Sequence, residues 1–169
     1  PCPGRRQSCA WPGHEEVTVT DPQLVARALV GDALVRVKLL RNRGHVREAL
    51  ALAERHALSW PRQLALKALR ADLLVRVRRF DEARALLAEV FAENPAHQSA
   101  LIALGDLSSV TGRLEAADGA YRAAAQAPGV LGDAPHLVRR HARVLSRLGR
   151  ADEALAMLDR GIAARLERG

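Results

Sequence analysis

One short phrase comes round four times in this chain. Ala49, Ala83, Ala117 and Ala154 follow one another at intervals of 34, 34 and 37 residues. Each alanine closes a similar run, at 44–49, 78–83, 112–117 and 149–154. Pro61 and Pro95 also stand 34 apart. A period of this length marks a supersecondary unit that cannot bury its apolar face alone and stacks on copies of itself.

The phrase has a physical reading. Gly44, Gly112 and Gly149 suit the left-handed residue that ends a helix. One apolar residue follows (Val46, Phe80, Leu114 or Ala151) and packs back on the turn. Acidic residues such as Asp81, Glu82, Asp152 and Glu153 then fall in the first turn of a second helix, where the helix dipole favours them. The alanine lets two antiparallel helices approach closely. The clearest unit spans 105–124, two helices with a turn at Gly112. Arg78 replaces the glycine in one copy, which predicts a turn strained by about 1 kcal/mol or built differently. Asp21 and Pro22 predict the start of the first helix, Asp as cap and Pro at the first helical position. Pro61 and Pro95 are predicted to open the helices after them, with Ser59 and Asn94 as caps.

The pattern resembles the tetratricopeptide repeat (TPR) family. The resemblance places repeats at 30–63, 64–97, 98–131 and 135–168. Repeat position 8 is then Val37, Ala71, Gly105 and Ala142, position 24 is Ala53, Leu87, Tyr121 and Leu158, and position 27 is His56, Val90, Ala124 and Gly161. The first repeat departs most, because Val37 and His56 are large where the family has small residues, so its helices are expected to splay or shift. Three extra residues in 128–135 lengthen the last junction and are expected to loosen the fourth repeat. Trp60 reads as a packing wedge at the first junction. The resemblance implies an all-α, right-handed superhelical solenoid of four helix-turn-helix repeats over 21–169, preceded by an irregular arm at 1–20.

Composition agrees with helices. Aromatic residues make up 3% of the chain, too few for a sandwich or barrel. The formal net charge is +7, nearly all of it arginine. Such a surface attracts nucleic acid, anionic lipid or acidic protein, although coding bias alone also produces arginine- and alanine-rich chains. No stretch approaches the ~18 apolar residues of a membrane span. No signal segment opens the chain. The chain begins at Pro1 and reads as a processed chain or an excised piece, so a cytoplasmic location is only an expectation. Cys2 and Cys9 lie in the irregular arm with His14 nearby, too few ligands for a metal site, and a local disulfide between them would not staple the fold.

No catalytic constellation stands out. Phosphate-loop, dinucleotide, nucleophile-elbow and zinc-protease motifs are absent. His136 and His141 lie about 140° apart around a helix and cannot share a ligand on one face. The expectation is a chain that is not an enzyme, with no cofactor and no metal.

The resemblance implies that the first helix of each repeat lines a concave groove holding a partner's peptide or helix. The candidate groove residues are Lys38, Arg41, Asn42, Asp72, Arg76, Asp106, His136, Arg139, Arg140, Arg143 and Arg147. His136 and the four arginines of the fourth repeat form one polar face opposite Leu137, Val138, Val144 and Leu145. Guanidinium groups in such a row offer paired donors to carboxylate or phosphate. Asp72 and Asp106 are expected to repel an acidic ligand at mid-groove. Some family members clamp chaperone C-termini with lysine at position 5 and asparagine at position 9 of the first repeat. Leu34 and Lys38 stand there instead, so no chaperone-tail binding is expected.

Nucleic acid is a lesser alternative, because stacking aromatics are sparse. A further alternative is a segment of a larger multidomain regulator or assembly factor that works through self-association. Leu155, Leu158, Ile162 and Leu166 form an apolar stripe on the last helix. The polar capping helix common in the family is not evident after it. The stripe is therefore exposed, meets another chain, or is covered by chain beyond Gly169.

Overall fold

The computed structural model describes residues 22–127 and 135–167. The arm at 1–20 with Cys2 and Cys9, and most of the long last junction, lie outside the described residues. Eight helices follow in order: α1 (Pro22–Asn42), α2 (Val46–Ser59), α3 (Leu64–Arg76), α4 (Phe80–Glu93), α5 (Gln98–Val110), α6 (Leu114–Gln126), α7 (Pro135–Arg147) and α8 (Ala151–Leu166). No strand occurs among the described residues. None of the described helices is long and apolar enough to cross a membrane.

The helices form four hairpins, each closed by the same turn. Gly44, Gly112 and Gly149 adopt φ of 87°, 81° and 78°. The amide of the next residue then reaches back to the helix end: His45 N to Leu40 O at 3.0 Å, Arg113 N to Ser108 O at 2.8 Å and Arg150 N to Leu145 O at 2.9 Å. These bonds satisfy carbonyls left without helical partners. The second turn is built identically. Arg78 takes φ of 67°, and Arg79 N bonds Leu74 O at 2.9 Å. Repeat packing on both sides thus holds a side-chain-bearing residue where glycine is preferred.

In three of the four turns the residue after the left-handed position also tethers the second helix. His45 Nδ1 lies 3.0 Å from Glu48, while Arg79 and Arg150 donate to Glu82 and Glu153. Pro22 does open α1. Pro61 and Pro95 do not open α3 and α5. They sit in turns, and the helices begin three residues later, at Leu64 and Gln98. The residues at the N-caps are Gln63 and His97, and His97 Nδ1 accepts from the Ala100 amide at 3.3 Å. Asn94 closes α4, its side chain accepting from the Ala96 amide at 3.1 Å. Each proline follows a C-cap residue that is extended or nearly so, and the chain needs three more residues to reverse before it can re-enter a helix.

Besides a small cluster of Ala142, Leu145 and Ala154 within the last hairpin, two continuous cores run through the stack. One joins the first two hairpins to Ala100, Ala103 and Leu107 of α5. The other joins Ile102, Ala117 and Tyr121 to Leu137 and Val144 of α7. The first hairpin does not splay at Val37, which is fully buried together with Ala49 and Ala53. His56 stacks on the half-buried Trp60, ring centroids 5.4 Å apart, so Trp60 packs at the junction.

Candidate functional site

Stacking fixes which helices can meet a ligand. The first helices touch in sequence, α1 on α3, α3 on α5 and α5 on α7, whereas α2, α4, α6 and α8 do not contact one another. The first helices therefore form the inner, concave layer. A cleft of about 670 Å³ opens along it between α1, α3, α5 and α7. Lys38, Arg41, Asn42, Asp72, Arg76, His136, Arg139 and Arg140 all border this cleft. Asp106 does not line it, and Arg143 and Arg147 lie farther along α7, also outside its lining.

The aspartates are not free acids waiting to repel a ligand. Arg41 and Arg76 donate to Asp72 Oδ2 at 3.3 and 3.2 Å. Arg140 approaches Asp72 Oδ1 at 3.7 Å and donates to Asp106. These contacts join the first, second, third and fourth hairpins in one chain of ion pairs. The repulsion expected of Asp72 and Asp106 is thus offset by guanidinium groups from neighbouring repeats.

Asp106 is also held from behind. The Tyr121 hydroxyl donates to its Oδ1 at 2.6 Å. Gly105 makes that reach possible, since a Cβ there would stand 2.5 Å from the Tyr121 ring. Burial pushes the Asp106 carboxyl above its usual range, and Arg140 and Tyr121 only partly counter this. Burial also raises the Tyr121 phenol, with Asp106 adding to the effect, so the hydroxyl stays a donor. Burial holds His136 below its usual value, and Arg140, Arg41 and Arg139 lower it further, so the ring is neutral near pH 7.

The row on α7 therefore separates into two groups. Arg140 turns into the cleft, and Arg147 donates to the Ser109 carbonyl at 3.1 Å and to its hydroxyl at 3.3 Å. Lys38, Arg139 and Arg143 are exposed and have no anionic partner among the described residues. These three cations remain available to a ligand.

A second charged centre, not foreseen from sequence, lies on the outer side between α6, α7 and α8. Asp118 Oδ1 is 2.6 Å from His141 Nε2, and Asp118 Oδ2 accepts from Arg122 and Arg150 at 2.7 Å each. Asp118 and His141 are both buried. Burial alone would raise the Asp118 carboxyl, but bonds from His141 and Arg150 outweigh it and hold it below the usual range. No group of three or more His, Cys, Asp or Glu residues suited to a metal ion occurs among the described residues.

No family model matches the sequence. No curated protein matches it either. Solved structures do match. A thermophilic TPR protein of Thermus thermophilus superposes with a TM-score of 0.67 at 19% identity, over 79% of this chain and 73% of that one. MamA from Desulfovibrio magneticus RS-1 gives 0.58 at 18% identity, over 80% and 74%. MamA of AMB-1 gives 0.53 at 23% identity, over 76% and 75%. The fold is that of a TPR-type solenoid, an all-α superhelix of stacked hairpins.

Proposed function

We propose that this chain is a non-enzymatic protein-interaction scaffold whose concave cleft receives an acidic peptide or helix of a partner. The observation that supports this most is the division of charge within the cleft. Its two aspartates are occupied by Arg41, Arg76 and Arg140. Lys38 and Arg139 on its border, and Arg143 beside it, keep unpaired cationic heads among the described residues. Carboxylates of a bound segment would meet those cations first and find the mid-cleft acids already neutralised. The cleft crosses all four hairpins, which suits an extended or helical segment better than a small molecule. Chaperone-type tail clamping does not fit, because Leu34 and Lys38 replace its lysine and asparagine.

The test compares fluorescein-labelled peptides by anisotropy. One is an amphipathic peptide rich in Asp and Glu; its control carries Lys and Arg instead. The acidic peptide should bind, and Lys38→Glu with Arg143→Glu should weaken it by about tenfold or more, as for two lost ion contacts. Unchanged affinity in that double variant refutes the reading. A labelled single-stranded oligonucleotide, run at two salt concentrations, covers the rival. If it binds more tightly than the acidic peptide, with a steep salt dependence, the cationic face serves nucleic acid instead.

A further inference from the structure

The interior hairpins bury both of their stacking edges. Leu66 and Leu73 of α3, Ala100 and Leu107 of α5, and Leu137 and Val144 of α7 are buried in cores shared with the hairpin before. Counting from Val30, Leu64, Gln98 and Pro135, the equivalent places in α1 hold Asp32 and Leu39. Both are exposed, Leu39 by 50%. The other edge behaves the same way. Ala53, Leu87 and Tyr121 are buried beneath the next hairpin, whereas their equivalent Leu158 is only half-buried. Beside it, Leu155 and Ile162 are 60% and 58% exposed. A cavity of about 840 Å³ lies there, lined by Val138, Arg139, Leu158, Gly161, Ile162 and Leu166. It occupies the slot where every other hairpin receives the first helix of its successor.

The charges at the two open ends match each other. Each interior junction brings the fifth residue of one first helix into a common core with the third residue of the next. The pairs are Leu34 with Leu66, Ala68 with Ala100, and Ile102 with Leu137. At the two ends these places hold Arg139 and Asp32. An apolar pair within the stack is thus replaced by opposite charges at its termini. A second pair follows the same register. Arg79 donates to Glu54 across the first junction at 3.4 Å, and the equivalent places at the ends hold His45 and Asp159, both exposed.

We propose that α1 of a second copy docks on the α7–α8 edge as a fifth repeat. Asp32 of that copy meets Arg139, and its Val35 and Leu39 cover the Leu155–Ile162 stripe. The contact is head to tail, so each added copy leaves a free edge and the assembly grows past the dimer unless the rotation closes it. Arg139 borders both the junction and the cleft, whereas Asp32 and the α8 stripe lie outside the cleft, so Asp32→Arg tests the junction without touching peptide binding.

Sedimentation velocity over a range of concentrations tests it. The wild-type chain should grow with concentration beyond a dimer. Asp32→Arg and Arg139→Glu, both exposed changes whose folding circular dichroism verifies, should each raise the dissociation constant at least tenfold. The chain carrying both changes should associate again, because the charges are once more opposite. Three results overturn the proposal: a wild-type chain that stays monomeric at all concentrations, a closed dimer indifferent to Asp32→Arg, or a doubly changed chain that fails to recover.

Discussion

Two acidic centres in this molecule gather arginines from neighbouring hairpins, and they are placed oppositely. Asp118 is buried on the outer side and binds His141, Arg122 and Arg150. Asp72 and Asp106 lie on the inner side and bind Arg41, Arg76 and Arg140 beside an open cleft. The outer centre ties α6 to α7 and to the turn before α8. Both oxygens of Asp118 are taken up by partners within the fold. The inner centre also crosses hairpins, but its arginines stand at the border of a cleft where an incoming carboxylate can compete for them. Under the proposed function the same chemistry serves cohesion on one side and recognition on the other; Asp72 and Asp118 are equally buried, and the cations bordering the cleft make the difference.

The comparison breaks most readily at Asp118. Asp118→Ala strands its partners, and the cost should be about 2–3 kcal/mol, since Arg122 reaches solvent. Thermal melting should fall by roughly 5–10 °C. The pH dependence follows from the sign of the shift. The folded-state value of Asp118 is depressed. Its stabilisation is therefore present above the unfolded value, about 4, and lost as pH falls through the folded value. Urea midpoints at neutral and strongly acidic pH should drop further in the wild-type chain than in Asp118→Asn. An equal drop removes Asp118 from the acid sensitivity.

Gly105→Ala tests the support behind the inner centre. The added methyl displaces the Tyr121 ring and costs about 1–3 kcal/mol. Better helix propensity returns up to ~1 kcal/mol. A net loss near 1–2 kcal/mol, measured by chemical denaturation, is expected. Tyr121→Phe removes only the hydroxyl bond to Asp106 and should cost about 1 kcal/mol. A loss in Tyr121→Phe as large as in Gly105→Ala would mean that the bond, not the ring packing, carries the cost. The smallest effect lies outside both centres. Arg78→Gly relieves the left-handed strain and should stabilise by up to about 1 kcal/mol. A melting temperature that falls instead would show that Arg78 makes a contact worth more than the strain.

Much of this architecture was legible in the sequence. The interval of 34 between Ala49, Ala83 and Ala117 located the hairpins, and the glycines located the left-handed turns, because both are local requirements of the backbone. The turn at Arg78 followed the pattern even without its glycine. The helix starts after Pro61 and Pro95 were misplaced, since proline suits a turn as well as a first helical position and local sequence does not distinguish them. Composition and spacing placed cations on the α7 face but not their partners. Arg140 reaches Asp106 across 34 residues and Arg41 reaches Asp72 across 31. Such pairings depend on how hairpins stack. For the same reason His141 read as an isolated histidine, although it faces Asp118 from the neighbouring hairpin. The one available signal was its place among the buried residues Leu137, Val138, Val144 and Leu145 of α7.

The division of labour between the two centres is tested most directly by measuring affinity and stability together in two matched variants. Asp72→Asn frees Arg41 and Arg76 at the cleft, and Asp118→Asn weakens the outer tie. With the labelled acidic peptide as probe, Asp72→Asn should bind severalfold more tightly than the wild-type chain. Asp118→Asn should melt lower and bind the peptide with unchanged affinity. If Asp72→Asn leaves peptide affinity unchanged, or if Asp118→Asn alters it as much, the inner centre does not govern recognition.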